Sequence, residues 1–205
     1  MKKLNSKEKS IIIVVVIIFV VIVVTVGSLA NDGTLLHTNK VALPSDSVVQ
    51  SVIGSPLIRV YNETGYAGQT YLSLGSPNNI TSAFYHSSST DQWTIGVSIT
   101  SAMFNTPQNA SQMYSSYWKY FITQVAVVSS LGPGYQASLN NYTYRGFTYF
   151  VETQSGQNLG GYFGLGGYGE TIMGHSGQYY FEILYTGTIN VNPSAVAQAE
   201  INAMT

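Results

Sequence analysis

The sequence of 205 residues contains no cysteine, and only 8 % of its residues are charged. The lack of cysteine excludes a disulfide scaffold, a thiolate metal site, a cysteine nucleophile and a lipid-modified cysteine anchor. Eight basic residues against nine acidic ones leave a formal net charge of −1, so the chain lacks the basic surface that nucleic-acid binding requires. Because 45 % of the residues are hydrophobic, the composition is that of a folded protein.

The first thirty residues have the order of an export signal. A lysine-rich start precedes an apolar run, Ile11 to Val26, which ends in the small-residue stretch Ser28-Leu29-Ala30. This order predicts a signal peptide over residues 1–30, cleaved between Ala30 and Asn31. Two alternatives stay open. The apolar run is retained as a membrane anchor, or cleavage follows Ser10, at a site that resembles the one in archaeal type IV prepilins. All three predict that the rest of the chain is extracellular.

The exported part is poor in charge, with four basic residues against eight acidic ones after residue 30. An acidic exterior would favour such a composition, because carboxylates are protonated there and ion pairs are lost. Covalent N-linked glycans offer a second route to solubility. Four Asn-x-Ser/Thr sequons are predicted to carry them, at Asn62, Asn79, Asn109 and Asn141.

The exported part divides into two segments. Residues 31–56 consist of short apolar islands without aromatic residues or a long helical period, and their β-branched residues predict an extended tail. Residues 57–205 consist of short strands divided by turns, which predict a globular head. A strand is expected at Tyr66–Leu74, and another runs unbroken over Tyr142–Thr153.

Two helices interrupt the strands of the head. Thr106 and Pro107 are typical of a helix start, and apolar residues then recur every three or four positions to about residue 130. Asn192 and Pro193 start a short Ala-rich helix in the same way. The predicted fold is therefore a β-rich α+β head, an antiparallel sheet or sandwich-like structure with one amphipathic and one C-terminal helix.

Motifs for catalysis are incomplete in this sequence. The glycine pattern at 164–169 matches G-x-G-x-x-G, but the acidic residue expected about twenty positions later is missing. The three histidines are scattered and form no metal-binding pair. Carboxylate pairs could come only from residues distant in sequence, namely Asp91, Glu152, Glu170 and Glu182. The sequence therefore predicts neither an enzyme nor a cofactor or metal site.

The order of export signal, strand-like tail, β-rich head and sequons resembles the subunits of crenarchaeal surface filaments called threads. The resemblance implies donor-strand complementation, in which the tail of one subunit completes the sheet of its neighbour. It therefore implies a homopolymeric filament on the cell surface, with other cells or the surface layer as further partners and the membrane only a transient contact during export. The anchors of the donor strand would be Val41, Leu43, Val48, Val49, Val52 and Ile53.

Two other functions stay open. A type IV pilin-like subunit would retain residues 11–26 as a helix in the filament core. A membrane-anchored or secreted module would bind glycans or surface-layer partners, for which the sixteen tyrosines offer contact area with a polar tip.

Overall fold

A computed structural model describes residues 41–64, 77–87, 95–156 and 168–205 of the protein. The predicted signal peptide with its cleavage site at Ala30 and Asn31, the tail up to residue 40 and the predicted strand at 66–74 lie outside these residues. The described elements are, in chain order, α1 (Asp46–Ile53), β1 (Leu57–Thr64), β2 (Pro77–Ser87), β3 (Ile95–Phe104), α2 (Pro107–Ser129), β4 (Tyr135–Tyr144), β5 (Phe147–Gly156), β6 (Tyr168–Ser176), β7 (Tyr179–Gly187) and α3 (Pro193–Met204).

The seven strands form one antiparallel sheet in the order β1-β2-β3-β7-β6-β5-β4. Strand β7, the last in the chain, lies between β3 and β6 and joins the two halves of the sheet. Helix α2 packs on one face, while α1 and α3 pack on the other. The predicted β-rich α+β class is confirmed, as a single sheet between two layers of helices.

Helix α2 has the start and the apolar face that its sequence predicts. The Thr106 hydroxyl accepts a hydrogen bond from the Asn109 amide at 3.3 Å, and Pro107 occupies the first turn. Its buried residues pack on the sheet, and Phe121 contacts Phe150 of β5 with ring centroids 5.6 Å apart. Near the end of the helix, Gln124 and Val128 are buried.

The opposite face of the sheet holds the larger core cluster. Strand residues such as Tyr85, Ile183 and Phe181 are fully buried there, and α1 and α3 cover them. Because successive strand residues point to opposite faces, strands β2 to β7 supply side chains to both cores. The two helices on this side therefore pack on the same core cluster of the sheet.

The predicted strand at 142–153 is wrong in one respect, because a tight turn divides it. Arg145 and Gly146 have positive φ angles of 46° and 79°, the conformation of a two-residue hairpin loop. Strands β4 and β5 pair on either side of this turn, from Tyr144 with Phe147 onward. Arginine at such a position gives no turn signal of its own, which explains the error.

The prediction of an extended tail is wrong for residues 46–53, which form α1 on the chain's own sheet. None of the helices in the described ranges is long and apolar enough to cross a membrane.

Candidate functional site: a groove between α1 and α3

Helix α1 has signals for both of its ends. Asp46 lies in the first turn, where a negative charge is favourable, and Gly54 follows the last turn with a φ of 73°. The Gly54 amide donates to the Gln50 carbonyl oxygen at 2.9 Å. Val49 and Ile53, one helical turn apart, are 1 % and 2 % exposed in the core. The helix is therefore anchored by its own apolar face.

An ion pair fixes the start of α1 to the sheet. The Asp46 carboxylate pairs with the Arg59 guanidinium of β1, which also donates to the Tyr85 hydroxyl at 2.9 Å. That hydroxyl donates to Asp46 at 3.1 Å, and burial raises the pKa of Tyr85 to about 12. Further along α1, the Gln50 amide donates to the Leu57 carbonyl oxygen at 3.1 Å. Both ends of α1 are thus tied to β1.

Helix α3 lies beside α1 on the same face. The Asn192 side chain accepts a hydrogen bond from the Ala195 amide at 3.3 Å and caps the helix. Val196, Ala197 and Ile201 are buried against the sheet. At its far end the Tyr144 hydroxyl donates to Asn202 at 3.3 Å. The helix is therefore held by its apolar face and by one contact to the end of β4.

The two helices form the walls of an open groove of about 600 Å³. This volume falls within the range of small-molecule sites. Apolar and small side chains dominate the walls of the groove. Ser45, Gln198 and Asn202 supply its polar groups, and none of these described lining residues is charged. The remaining lining residues are Leu43, Pro44, Val48 and Val52 beside Ala195, Ala199 and Ala203.

Beneath the groove wall, α3 carries a buried acid. Glu200 has no exposed surface, and burial raises its pKa from 4.5 to about 8. The Ser101 hydroxyl of β3 donates a hydrogen bond to its Oε1. Among the described residues no partner reaches Oε2. Burial therefore favours the neutral form of this acid.

Two further glutamates that the sequence singled out lie on opposite faces of the sheet. Glu152 on β5 points toward α2, and burial raises its pKa to about 8. Glu170 on β6 points toward α3, and burial raises its pKa to about 7, although the hydrogen bond from the Tyr168 hydroxyl opposes this shift. The sheet separates these two carboxyls, so they cannot act on one substrate bond. Asp91 lies outside the described residues.

Glu182 shares the α2 side with Glu152. The Tyr180 hydroxyl donates to it at 3.5 Å, and its charge contributes to the raised pKa of Tyr117 on α2, which is due mainly to burial. Tyr120, whose pKa burial raises to about 12, lies near Glu152. This polar cluster is buried beneath α2.

The six predicted donor-strand anchors take other roles. Val49 and Ile53 are core residues of α1, and Val41 is 5 % exposed just before it. Leu43, Val48 and Val52 line the groove. The prediction of a donor strand is thus wrong for 46–53, because spacings of four residues place these side chains on two faces of a helix. That spacing, with Gly54 after it, was the signal in the sequence that indicated a helix.

The four sequons are placed differently by the fold. Asn79 is 2 % exposed and its side-chain nitrogen is buried, so a glycan cannot be accommodated there and that prediction is wrong. Asn109 is half-buried in the first turn of α2, and Asn141 is exposed on the edge strand β4. Asn141 accepts a hydrogen bond from the Tyr114 hydroxyl at 2.7 Å. Asn62 lies on β1, and its side chain is not among those that the structure describes.

The described residues contain no group of three or more potential ligands that could hold a metal ion. No protein-family model matches the sequence, and no curated protein is similar to it. A solved structure, the extracellular domain of PknH from Mycobacterium tuberculosis, has the same fold. It superposes with a TM-score of 0.51 at 14 % identity, and the match covers 79 % of this chain and 90 % of that one. A likeness at this identity shows a shared fold alone.

Proposed function

We propose that the described residues form an extracellular ligand-binding domain, held at the membrane by the apolar segment Ile11–Val26. The groove between α1 and α3 is the observation that carries this proposal, because both of its walls are fixed in the core. Only residues 27–40 separate the apolar segment from Val41. Even fully extended, they span about 50 Å, so the groove would face the membrane surface or its near neighbours.

The placement outside the cell has two supports. The basic and apolar start of the chain is that of an exported protein. The solved structure with the same fold is also an extracellular domain. A cysteine-free, charge-poor surface suits an exterior in which ion pairs contribute little, as an acidic one would be.

The lining of the groove defines the class of ligand. Its walls carry no charge, so a charged ligand would lose hydration without gaining an ion pair. Its apolar walls and few amide or hydroxyl groups suit an uncharged, largely apolar molecule with one or two hydrogen-bonding groups. Such a ligand would lie along α1 and α3 and exchange hydrogen bonds with Gln198 and Asn202.

Native mass spectrometry of the full chain, purified from its own membrane in mild detergent, tests the proposal. We expect one bound small molecule per chain and a mass that retains Ile11–Val26. Ala199→Leu, which fills the groove, abolishes the bound mass. Ile122→Asp is the matched control, because Ile122 is 51 % exposed on α2, on the other side of the sheet. A bound mass that survives Ala199→Leu, or no bound mass on the wild type, contradicts the proposal.

A second candidate function is a subunit of an extracellular surface filament, as the resemblance to threads implies. One observation favours it: among the described strands, β1 lies at the edge of the sheet and pairs only with β2, and it carries the exposed aliphatic side chains Ile58 and Val60, 48 % and 52 % exposed. Strand addition by a neighbouring subunit would cover such an edge. Since 46–53 is helical, the donor would be a segment other than α1.

The mature N-terminus distinguishes these functions. The binding domain retains residues 11–26, a pilin-like subunit begins at Ile11, and a thread-like subunit begins at Asn31. The same intact mass therefore separates all three, and negative-stain images of the surface material show filaments only for the last two.

A further inference from the structure

Glu200 lies on the same helix as one wall of the groove, with its side chain turned to the sheet. Its neighbours Ala199 and Ala203 line the groove, whereas Glu200 itself is fully buried. Its Oε1 accepts a hydrogen bond from Ser101 of β3. Its Oε2 is buried without a partner among the described residues. A groove wall and an isolated buried acid are thus parts of one rigid element.

We propose that the protonation state of Glu200 controls the groove: the neutral acid lets α3 pack on β3 and complete the groove, and the ionised carboxylate drives α3 off the sheet. This inference rests on the proposed function, because the groove is the site that it would regulate.

Among the described residues, no unpaired positive charge lies against the Glu200 carboxyl. On α1 the charged group is Asp46, already paired with Arg59. The titratable groups that face α3 from the sheet are tyrosines and one acid, with Arg145 at the β4–β5 turn, where it contacts Thr205 at the end of α3. Strand β3 contributes none. These groups are Tyr85 on β2, Tyr142 and Tyr144 on β4, Tyr149 on β5, Tyr168 and Glu170 on β6, and Tyr179 and Tyr185 on β7.

The direction of the response follows from burial. Burial raises the pKa of Glu200 to about 8, and no nearby charge opposes that shift. The docked acid stays neutral below this pH, whereas the acid of an undocked helix ionises from about pH 4.5, so docking weakens as the pH rises between these two values. An unpaired charge in an apolar interface is too costly to keep, so the ionised acid requires that the helix move and let water reach the carboxylate.

Helix α3 is the element best able to respond. The polar contacts at its far end are Tyr144 with Asn202 and Arg145 with Thr205, each at 3.3 Å. Glu152, by comparison, lies on β5, which pairs with a strand on both sides. Ionisation of Glu152 therefore strains the whole sheet, whereas ionisation of Glu200 can be relieved by α3 alone.

Hydrogen exchange of the full chain in detergent, followed by mass spectrometry from about pH 5 to about pH 9 and corrected for the intrinsic rate, tests the inference. We expect protection of residues 193–204 to fall by up to about tenfold per pH unit between about pH 5 and about pH 8 and to level off above it, while β7 stays better protected than α3 at every pH. In Glu200→Gln, which stays neutral, α3 remains protected throughout. In Ser101→Ala the fall extends to higher pH, because the hydroxyl no longer stabilises the carboxylate.

Glu152→Gln is the matched control, since it neutralises an equally buried acid on the other face and should leave the response of α3 unchanged. Protection of α3 that is independent of pH in the wild type overturns the inference. So does equal protection of α3 and β7 at every pH, because both would then report global unfolding, or a loss in α3 that persists in Glu200→Gln. This readout needs no ligand. An α3 response in a protein whose native mass shows no bound molecule would therefore reject the proposed function and retain the pH-controlled helix.

Discussion

Asp46 of α1 forms an ion pair with Arg59 of β1, thirteen positions further along the chain. The pair ties the first turn of the helix to the edge strand, and the Tyr85 hydroxyl bonds to both partners. The guanidinium also lies over the Tyr85 ring, 5.3 Å from its centroid. This contact makes α1 part of the domain, so that it supplies one wall of the groove.

Removal of this ion pair should lower the free energy of unfolding of the domain only modestly. The Asp46 side chain is 50 % exposed and that of Arg59 is 28 % exposed, so solvent screens much of their attraction. A double-mutant cycle with Asp46→Asn and Arg59→Gln, measured by urea unfolding, should give a coupling free energy of up to about 1 kcal/mol. Strictly additive effects of the two changes would show that the pair contributes nothing.

The domain should be more stable in acid than at neutral pH. Burial raises the pKa of Glu152 and Glu200 to about 8 and that of Glu170 to about 7, from 4.5. The folded state therefore binds protons that the unfolded state has released, and the free energy of unfolding falls as the pH rises between those values. Each group contributes up to about 1.4 kcal/mol per pH unit.

Thermal unfolding from about pH 4 to about pH 9 measures this dependence. The melting temperature should be highest near or below about pH 4.5 and should decline toward about pH 8. The triple variant Glu152→Gln, Glu170→Gln, Glu200→Gln should flatten the curve. A melting temperature that rises with pH over this range would show that the buried glutamates are ionised in the folded state.

Close packing at Gly174 predicts a sharp effect of a single methyl group. A Cβ at this position would lie 2.4 Å from a ring carbon of Phe181 and 2.7 Å from Cβ of Tyr149. Gly174→Ala should therefore cost about 1–3 kcal/mol of unfolding free energy. Gly134→Ala is the control, because no atom lies within 4 Å of its added Cβ. Equal effects of the two changes in urea unfolding would contradict the packing described.

Glycan mapping should separate the sequons by exposure. Peptides of the exported protein should carry glycans at Asn141 and Asn109 and none at Asn79, which lies within the core at 2 % exposure. Mass spectrometry before and after chemical deglycosylation gives the occupancy of each site. A glycan on Asn79 would require that β2 be modified before it pairs with β3.

The sequence predicts the helices with capping signals well. Thr106 and Asn192 both accept the hydrogen bond that their position in the sequence predicts. Their effect is local, since a side-chain cap and a proline act within one turn. The β-rich class of the head is likewise predicted, because its residues form short apolar strands divided by turns.

Helix α1 and the groove were not predicted, for different reasons. Val48-Val49 and Val52-Ile53 favour a strand by composition, but their spacing of four residues and Gly54 indicate a helix, and burial of Val49 and Ile53 against the sheet stabilises it. The groove depends on two helices that lie more than 130 residues apart in the chain, so no local pattern predicts it. Nor does any pattern mark Glu200 as fully buried, since a lone acid in a short Ala-rich helix is usually exposed.

The most direct test of the central claim, that α1 belongs to its own domain, compares two residues of that helix. The free energy of unfolding of the full chain is measured in urea for Ile53→Ala and for Val48→Ala, at several protein concentrations. We expect Ile53→Ala to lower the free energy of unfolding by about 2–5 kcal/mol. Because Val48 is 40 % exposed, Val48→Ala should lower it by almost nothing, and both results should hold at every concentration. Equally small effects, or a cost of Ile53→Ala that appears only at concentrations where subunits associate, would place this segment in a neighbouring molecule.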